Sequence, residues 1–229
     1  MLRIVISLLA CLLVLPLKAQ DEDTEYRMEV GAGIGLHFGL NDVNSKLYGN
    51  SQVAGSVLTR FLLNPRMAVK VAFDYGGVKG TTQGVSNFYP ASPEQGGEQR
   101  LDYRAKGGVY DLSGLYEINF LPYGYFSGYL GFHRLVPYLQ MGVGLTYSSA
   151  GEAFALNIPI GFGLKYKLSR RWNLGLEWRM HFTMNDKLDG LEAPLGIESQ
   201  MFRNKDHYSM TMLTLTYDIA PRCPTCNKD

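Results

Sequence analysis

Between Tyr26 and Phe38 the chain interleaves two sets of residues of opposite character. Tyr26, Met28, Val30, Ala32, Ile34, Leu36 and Phe38 are apolar or aromatic, whereas Arg27, Glu29, Gly31, Gly33, Gly35 and His37 are charged, tiny or polar. A period of two is that of a β-strand, whose successive side chains point to opposite faces; here one face is greasy and the other carries charge and glycine. One such strand suits a soluble sandwich as well as a barrel in lipid. Recurrence and length decide between them.

The pattern returns along the chain. Around Val53–Phe61, Val53, Val57 and Phe61 oppose Ala54, Ser56 and Arg60, and from Met67 the set Met67, Val69, Val71, Phe73 and Tyr75 opposes Ala68, Lys70, Ala72, Asp74 and Gly76. A fourth stretch sets Tyr110, Leu112, Tyr116, Ile118 and Phe120 against Asp111, Ser113, Glu117 and Asn119. A fifth sets Leu135, Leu139, Met141, Val143, Leu145 and Tyr147 against Tyr138, Gln140, Gly142, Gly144 and Thr146. The sixth opposes Leu156, Ile158, Ile160, Phe162, Leu164 and Tyr166 to Asn157, Gly161, Gly163, Lys165 and Lys167. The seventh opposes Trp172, Leu174, Leu176, Trp178, Met180 and Phe182 to Asn173, Gly175, Glu177, Arg179, His181 and Thr183. The last, Tyr208 to Ile219, changes phase near Met212-Leu213, which predicts a β-bulge. Tight turns are expected at Leu62–Arg66 and Ser169–Arg171, and long polar loops at about Lys79–Lys106 and Met184–Asp206.

Across the first seven strands every charge falls on the face opposite the apolar set: Arg27, Glu29, Arg60, Lys70, Asp74, Asp111, Glu117, Lys165, Lys167, Glu177 and Arg179. Strands of about ten residues, aromatics at the ends of the apolar face, and connections that alternate long and short point to an all-β, antiparallel transmembrane barrel. About eight strands enclose a lumen that side chains fill, so no open pore is expected. Glycine (26 residues) makes room there for the long charged side chains, which should pair and plug the interior. With the amino terminus in the periplasm, the long loops face the exterior, and the Asn64-Pro65 turn, the aromatic segment from Tyr123 to Phe132 and the carboxyl-terminal tail face the periplasm.

The remaining parts set the boundaries. A basic start, an apolar run from Ile4 to Leu17 interrupted by Ser7, and Ala19 before the acidic Asp21-Glu22-Asp23 read as a signal peptide over residues 1–19. A short segment, 20–25, leads to the barrel at 26–219, and 220–229 form a tail. A net charge of +1 leaves no footprint for nucleic acid.

Candidate chemistry is sparse, and no cofactor is expected. Gly31, Gly33 and Gly35 echo a nucleotide fingerprint but lie within a strand instead of opening a helix. His37, His181, Glu117 and Glu177 include acid, base and ligand types, yet buried pairs in a plugged barrel have the same sequence signature and no nucleophile motif accompanies them. Asp186-Lys187-Leu188-Asp189-Gly190 lacks the full spacing of a calcium loop. Cys223-Pro224-Thr225-Cys226, in an exported setting, suits a local disulfide or a bond to a periplasmic partner.

Several stretches together resemble a known family. They are Arg60-Phe61-Leu62-Leu63-Asn64-Pro65-Arg66-Met67-Ala68-Val69-Lys70, Asn119-Phe120-Leu121-Pro122-Tyr123-Gly124, Val136-Pro137-Tyr138-Leu139-Gln140-Met141-Gly142-Val143-Gly144-Leu145, Pro159-Ile160-Gly161-Phe162-Gly163-Leu164-Lys165-Tyr166, and Leu176-Glu177-Trp178-Arg179 through Phe182-Thr183 to Leu188-Asp189. They resemble the PorG-like outer-membrane barrels of Bacteroidota, components of the type IX protein secretion system. The resemblance implies a non-enzymatic barrel seated in outer-membrane lipid, which holds a periplasmic ring built from PorK-like and PorN-like proteins at the membrane. Surfaces available for that role are Tyr123, Tyr125, Phe126, Tyr129 and Phe132, with Cys223 and Cys226. A structural or adhesive barrel acting through its long loops and a lipid-modifying barrel enzyme are the alternatives.

Overall fold

A computed structural model describes residues 26–40, 48–81, 104–125, 131–185, 188 and 206–221. The expected signal peptide, the segment 20–25, Phe126, Tyr129, Cys223 and Cys226 lie outside the described residues, as does the Asp186–Gly190 motif apart from Leu188. The eight strands are β1 (Tyr26–Leu40), β2 (Gln52–Asn64), β3 (Met67–Thr81), β4 (Arg104–Asn119), β5 (Leu135–Ser148), β6 (Ala153–Lys167), β7 (Trp172–Thr183) and β8 (His207–Pro221). Each pairs with its neighbours in sequence, and β1 closes on β8 from Tyr26↔Pro221 to Leu40↔His207, giving a closed eight-stranded barrel. The start of β1, the close of β8 and the turns after β2, β4 and β6 share one end, called the terminal end. The connections after β1, β3, β5 and β7 share the other, the loop end.

Side-chain alternation sorts the two faces as the sequence implies. Outward-facing Ile34, Val53, Val57, Leu112, Leu139, Val143, Leu156, Phe162 and Leu176 are among the most exposed large apolar residues, forming a belt that water would penalise and hydrocarbon would not. Aromatic groups border this belt. At the loop end Tyr75, Tyr110, Tyr147 and Phe154 are direct cross-strand partners over four strands, with ring centroids 5.1, 6.4 and 4.7 Å apart. At the terminal end Trp172 packs edge-on against Tyr217 at 5.0 Å. Such girdles sit where hydrocarbon gives way to headgroups.

Three expectations change. No bulge interrupts β8: its pairings with β1 and β7 run without a shift, and the register shift lies instead between Leu62 and Asn64, at the β2–β3 turn. The apparent phase change arises because the lumen near the loop end is apolar. Tyr208, Met210 and Met212 point inward and pack with Ala54, Val78 and Val109. The outward Ser209 hydroxyl donates to the Arg179 carbonyl at 2.9 Å, and Thr211 bonds the Tyr48 hydroxyl at 3.0 Å. Second, β3 and β4 pair out to Thr81↔Arg104, so Lys79 and Lys106 belong to strands rather than to the loop, because inward Val78, Gly80 and Ala105 keep the alternation going. Third, β8 extends to Pro221, two residues into the expected tail.

Candidate functional site

The lumen holds the densest chemistry in the molecule. Ten of the eleven charges assigned to it from sequence are buried inside. Arg60 on β2 lies 3.0 Å from Glu29 on β1 and 3.0 Å from Glu117 on β4. Lys70 on β3 reaches across to Glu177 on β7 at 2.8 Å and to Glu117 at 3.3 Å, and Lys165 on β6 meets Glu117 at 2.5 Å. Arg179 grips Asp74 with two hydrogen bonds of 2.8 and 3.0 Å and lies 3.3 Å from Glu177. Tyr138 donates to Glu177 at 2.7 Å, and the Lys70 ammonium donates to Gln140 at 2.5 Å. A charge buried this deeply survives only when paired and hydrogen-bonded, and the arrangement meets that condition across the full width of the barrel.

Arg27 is the exception. It stands exposed at the terminal end of β1 and joins no ion pair among the described residues, because the strand has left the packed interior there. Its place is taken by a residue absent from the sequence assignment, Asp218 on β8, which pairs with Lys167 and accepts a 2.7 Å bond from Asn173. The alternation of Thr214, Thr216 and Asp218 against Leu213, Leu215, Tyr217 and Ile219 carried the signal, and the expected bulge concealed it. Among the described strand residues the buried set is therefore five cations (Arg60, Lys70, Lys165, Lys167, Arg179) and six carboxylates (Glu29, Asp74, Asp111, Glu117, Glu177, Asp218), the reverse of the six and five expected.

Glycine opens the space for the largest lumenal side chains. A methyl group at Gly163 would come within 2.7 Å of the Tyr138 ring, and one at Gly76 within 2.5 Å of the His37 ring. Neither could be added without moving the ring, so these two positions hold the packing open.

His37 and His181 sit apart from the glutamates, flanking Tyr208 with ring centroids at 5.3 and 4.4 Å. The His37 Nδ1 donates to the Gly77 carbonyl at 2.8 Å, and His181 Nδ1 lies 3.3 Å from Asn157 Oδ1 and 3.7 Å from Asp111. Asp111 accepts from Thr146, Asn157 and Tyr208 at 2.6 to 2.9 Å. The two histidines and the two glutamates thus form no single acid–base set. Among the described residues no group of three or more His, Cys, Asp or Glu side chains is arranged to hold a metal.

At the terminal end the segment after β4 is tied down. Tyr123 N–H donates to the Pro65 carbonyl at 2.9 Å, Gly124 N–H donates to the His133 carbonyl at 3.2 Å, and His133 N–H donates to the Pro122 carbonyl at 2.8 Å, docking the two stretches side by side. Tyr123 turns inward: its hydroxyl donates to Asn173 at 2.9 Å, and its ring lies 5.3 Å from the Lys167 ammonium. Burial, reinforced by Glu29 and Asp218, pushes its phenol well above the ordinary value, so it remains a donor. Of the five aromatics assigned to a partner surface, Tyr123 is thus committed to the barrel mouth. Arg134 lies over Tyr125 at 4.9 Å and Tyr166 at 5.4 Å, while the Phe132 ring packs on Gly124.

Residues 7–202 match the family described as "Outer membrane protein beta-barrel domain". The chain belongs to that family. The lumen just described is accordingly the interior of an outer-membrane barrel, and the apolar belt is its lipid face. Among solved structures the barrel is similar to Neisserial surface protein A, with 9% identity, a TM-score of 0.51, and coverage of 84% of this chain and 97% of that one. OprG of Pseudomonas aeruginosa aligns with 10% identity and a TM-score of 0.49 over 87% and 98%, and Ail, the attachment invasion locus protein of Yersinia pestis, with 12% identity and 0.46 over 86% and 100%. At such identities the likeness concerns the fold. No curated protein matches the outer-membrane barrel significantly.

Proposed function

We propose that this barrel is a non-enzymatic anchor of the type IX secretion system, which holds a periplasmic ring of PorK-like and PorN-like proteins at the outer membrane. The observation that carries the reading is the filled lumen. Arg60, Lys70, Glu117, Tyr138, Gln140, Glu177 and Arg179 are each 2% exposed or less, which closes the lumen at their level to the passage of cargo. The barrel's work then falls to its outer surfaces. The family resemblance carried by the stretches around Asn64-Pro65, Val136–Leu145 and Leu176–Arg179 supplies the identity of the partner. We assign the partner surface to the terminal end, through Tyr125, Phe126, Tyr129, Phe132 and the tail with Cys223 and Cys226, which puts that end in the periplasm.

Affinity recovery of the tagged barrel from membranes tests this. Truncation after Pro221, or substitution of Tyr125 and Phe132 by serine, is expected to lower recovery of the ring proteins and secretion of cargo, whereas deletion within 82–103 spares both. Undiminished recovery with all terminal-end changes combined, or loss of function on loop deletion alone, would overturn the assignment. A non-reducing gel of Cys223→Ser and Cys226→Ser membranes separates a covalent tether from a non-covalent one.

A further inference from the structure

Like charges stand directly opposite one another at four places among the described residues of the sheet: Arg60↔Lys70, Asp74↔Asp111, Glu29↔Asp218 and Lys79↔Lys106. Opposed like charges destabilise a strand pair unless something neutralises them. The first three pairs point into the lumen, where partners answer them: Arg60 binds Glu29, and Lys167 and Asn173 bind Asp218. Glu117 and Glu177 lie between Arg60 and Lys70, and Arg179 binds Asp74 while Thr146, Asn157 and Tyr208 donate to Asp111. Lys79 and Lys106 point the other way. Both are exposed on the outer face, and neither makes an ion pair among the described residues.

Their position says where the missing anion comes from. Tyr75 and Tyr110, members of the loop-end girdle, occupy the same outward rows, four residues toward the barrel centre. The Tyr75 ring lies against Gly108, only two residues from Lys106. Strand geometry puts Lys79 about 13 Å along β3 from Tyr75, less in height because barrel strands tilt. The flexible lysine stems let the ammonium groups reach back toward the layer just above an aromatic girdle. Arg104, outward and exposed two residues beyond Lys106, adds a third cation to the same face.

We propose that Lys79 and Lys106, assisted by Arg104, form a binding site for the phosphate of a lipid headgroup in the leaflet at the loop end, namely the phosphorylated glucosamine headgroup of a lipid A-type glycolipid. The site goes beyond the anchoring role and uses the opposite end of the barrel; it rests on that reading only for the orientation that turns the loop end outward. Phosphate satisfies both ammonium groups at once, which a single surface carboxylate on a neighbouring strand would do only at the cost of a further charge in the lipid face.

Native mass spectrometry of the full mature barrel in a neutral detergent tests the site, with lipid A carrying both phosphates compared against the same lipid A with its phosphates removed. The phosphorylated form is expected to bind at least tenfold more tightly, and Lys79→Gln/Lys106→Gln to abolish that preference while the barrel keeps its heat-modifiable migration on gels. Lys106→Glu, which supplies the counter-charge from within, should remove the preference and raise the unfolding midpoint in neutral lipid. Arg171→Gln at the terminal rim should leave the preference intact. Equal binding of both lipid forms to the unsubstituted barrel, retention of the preference by the double variant, or its loss in Arg171→Gln would each overturn the proposal.

Discussion

Three cations converge on Glu117, as three others converge on Glu177 in an overlapping set, and replacing Glu117 by leucine tests the filled-lumen account severely. The substitution removes contacts of 3.0 Å to Arg60, 3.3 Å to Lys70 and 2.5 Å to Lys165. Arg60 keeps Glu29 at 3.0 Å and Lys70 keeps Glu177 at 2.8 Å, so neither is stranded. Lys165 is: its remaining support is the face of Tyr138, 4.5 Å away, with the Tyr123 ring farther off at 6.0 Å. An uncompensated buried charge costs roughly 3–5 kcal/mol, and a desolvated cation–π contact returns up to about 2 of that. With that return made in full, the expected loss for Glu117→Leu is about 1–3 kcal/mol, a shift of roughly 0.3–3 M in a urea midpoint at the slopes usual for small proteins. Adding Lys165→Met removes the stranded ammonium, and because an ion pair replaced as a unit by apolar groups is close to neutral, most of the loss should return. Reversible urea unfolding in lipid vesicles, followed by the fluorescence of the two tryptophans, Trp172 and Trp178, provides the measurement. A cost below about 1 kcal/mol for the single variant, or a double variant no more stable than the single one, would show that the lumenal charges are solvated and the plug is loose.

Three further outcomes follow from the same geometry. Gly163→Val should drive a methyl group into the Tyr138 ring and cost about 1–3 kcal/mol in vesicle unfolding, with part of the loss recovered by Tyr138→Ala. Leu139→Arg, at a position half exposed to lipid, should cost about 2–4 kcal/mol by the same assay, since it places a charge within the apolar belt. In planar bilayers the unsubstituted barrel should give no steady unit conductance, and a stable open level would contradict the packing of Arg60, Lys70 and Glu177.

The architecture was legible in the sequence because lipid outside and paired charge inside are opposite solvents, and a period of two records that contrast directly. The seventh strand, Trp172–Thr183, was readable end to end for this reason. Legibility failed where the contrast weakens. Near the loop end the interior turns apolar at Met210 and Met212 while Ser209 and Thr211 face outward, so the pattern inverted without any change in the backbone. At Lys79, Arg104 and Lys106 the outward residues of β3 and β4 turn cationic, so they look like those of a loop although the strands still pair there. Among the expected lumenal charges, Arg27 failed in the complementary way: parity assigns a face but not a depth, and at the terminal end of β1 the inward face already meets solvent. Tyr123 carried no periodic signal, since only the folded turn decides that its ring enters the barrel mouth.

The wiring of the lumen constrains how the barrel comes together. The β2–β3 hairpin places Arg60 beside Lys70, and β3–β4 places Asp74 beside Asp111, so these hairpins are electrostatically frustrated on their own. Relief comes from far along the chain: Lys70 waits for Glu177, 107 residues away, and Asp74 for Arg179, 105 residues away. Hairpins entering the bilayer one at a time would drag these charges in unpaired, at a cost of several kcal/mol each. An open sheet and a mispaired one suffer the same penalty. The Lys70–Glu177 and Asp74–Arg179 pairs thus act as a checksum on topology: Glu29 and Glu117 answer part of the early charge, but these two pairs form only when the first strands and the last face each other across a closed ring, which favours a nearly complete sheet before deep insertion.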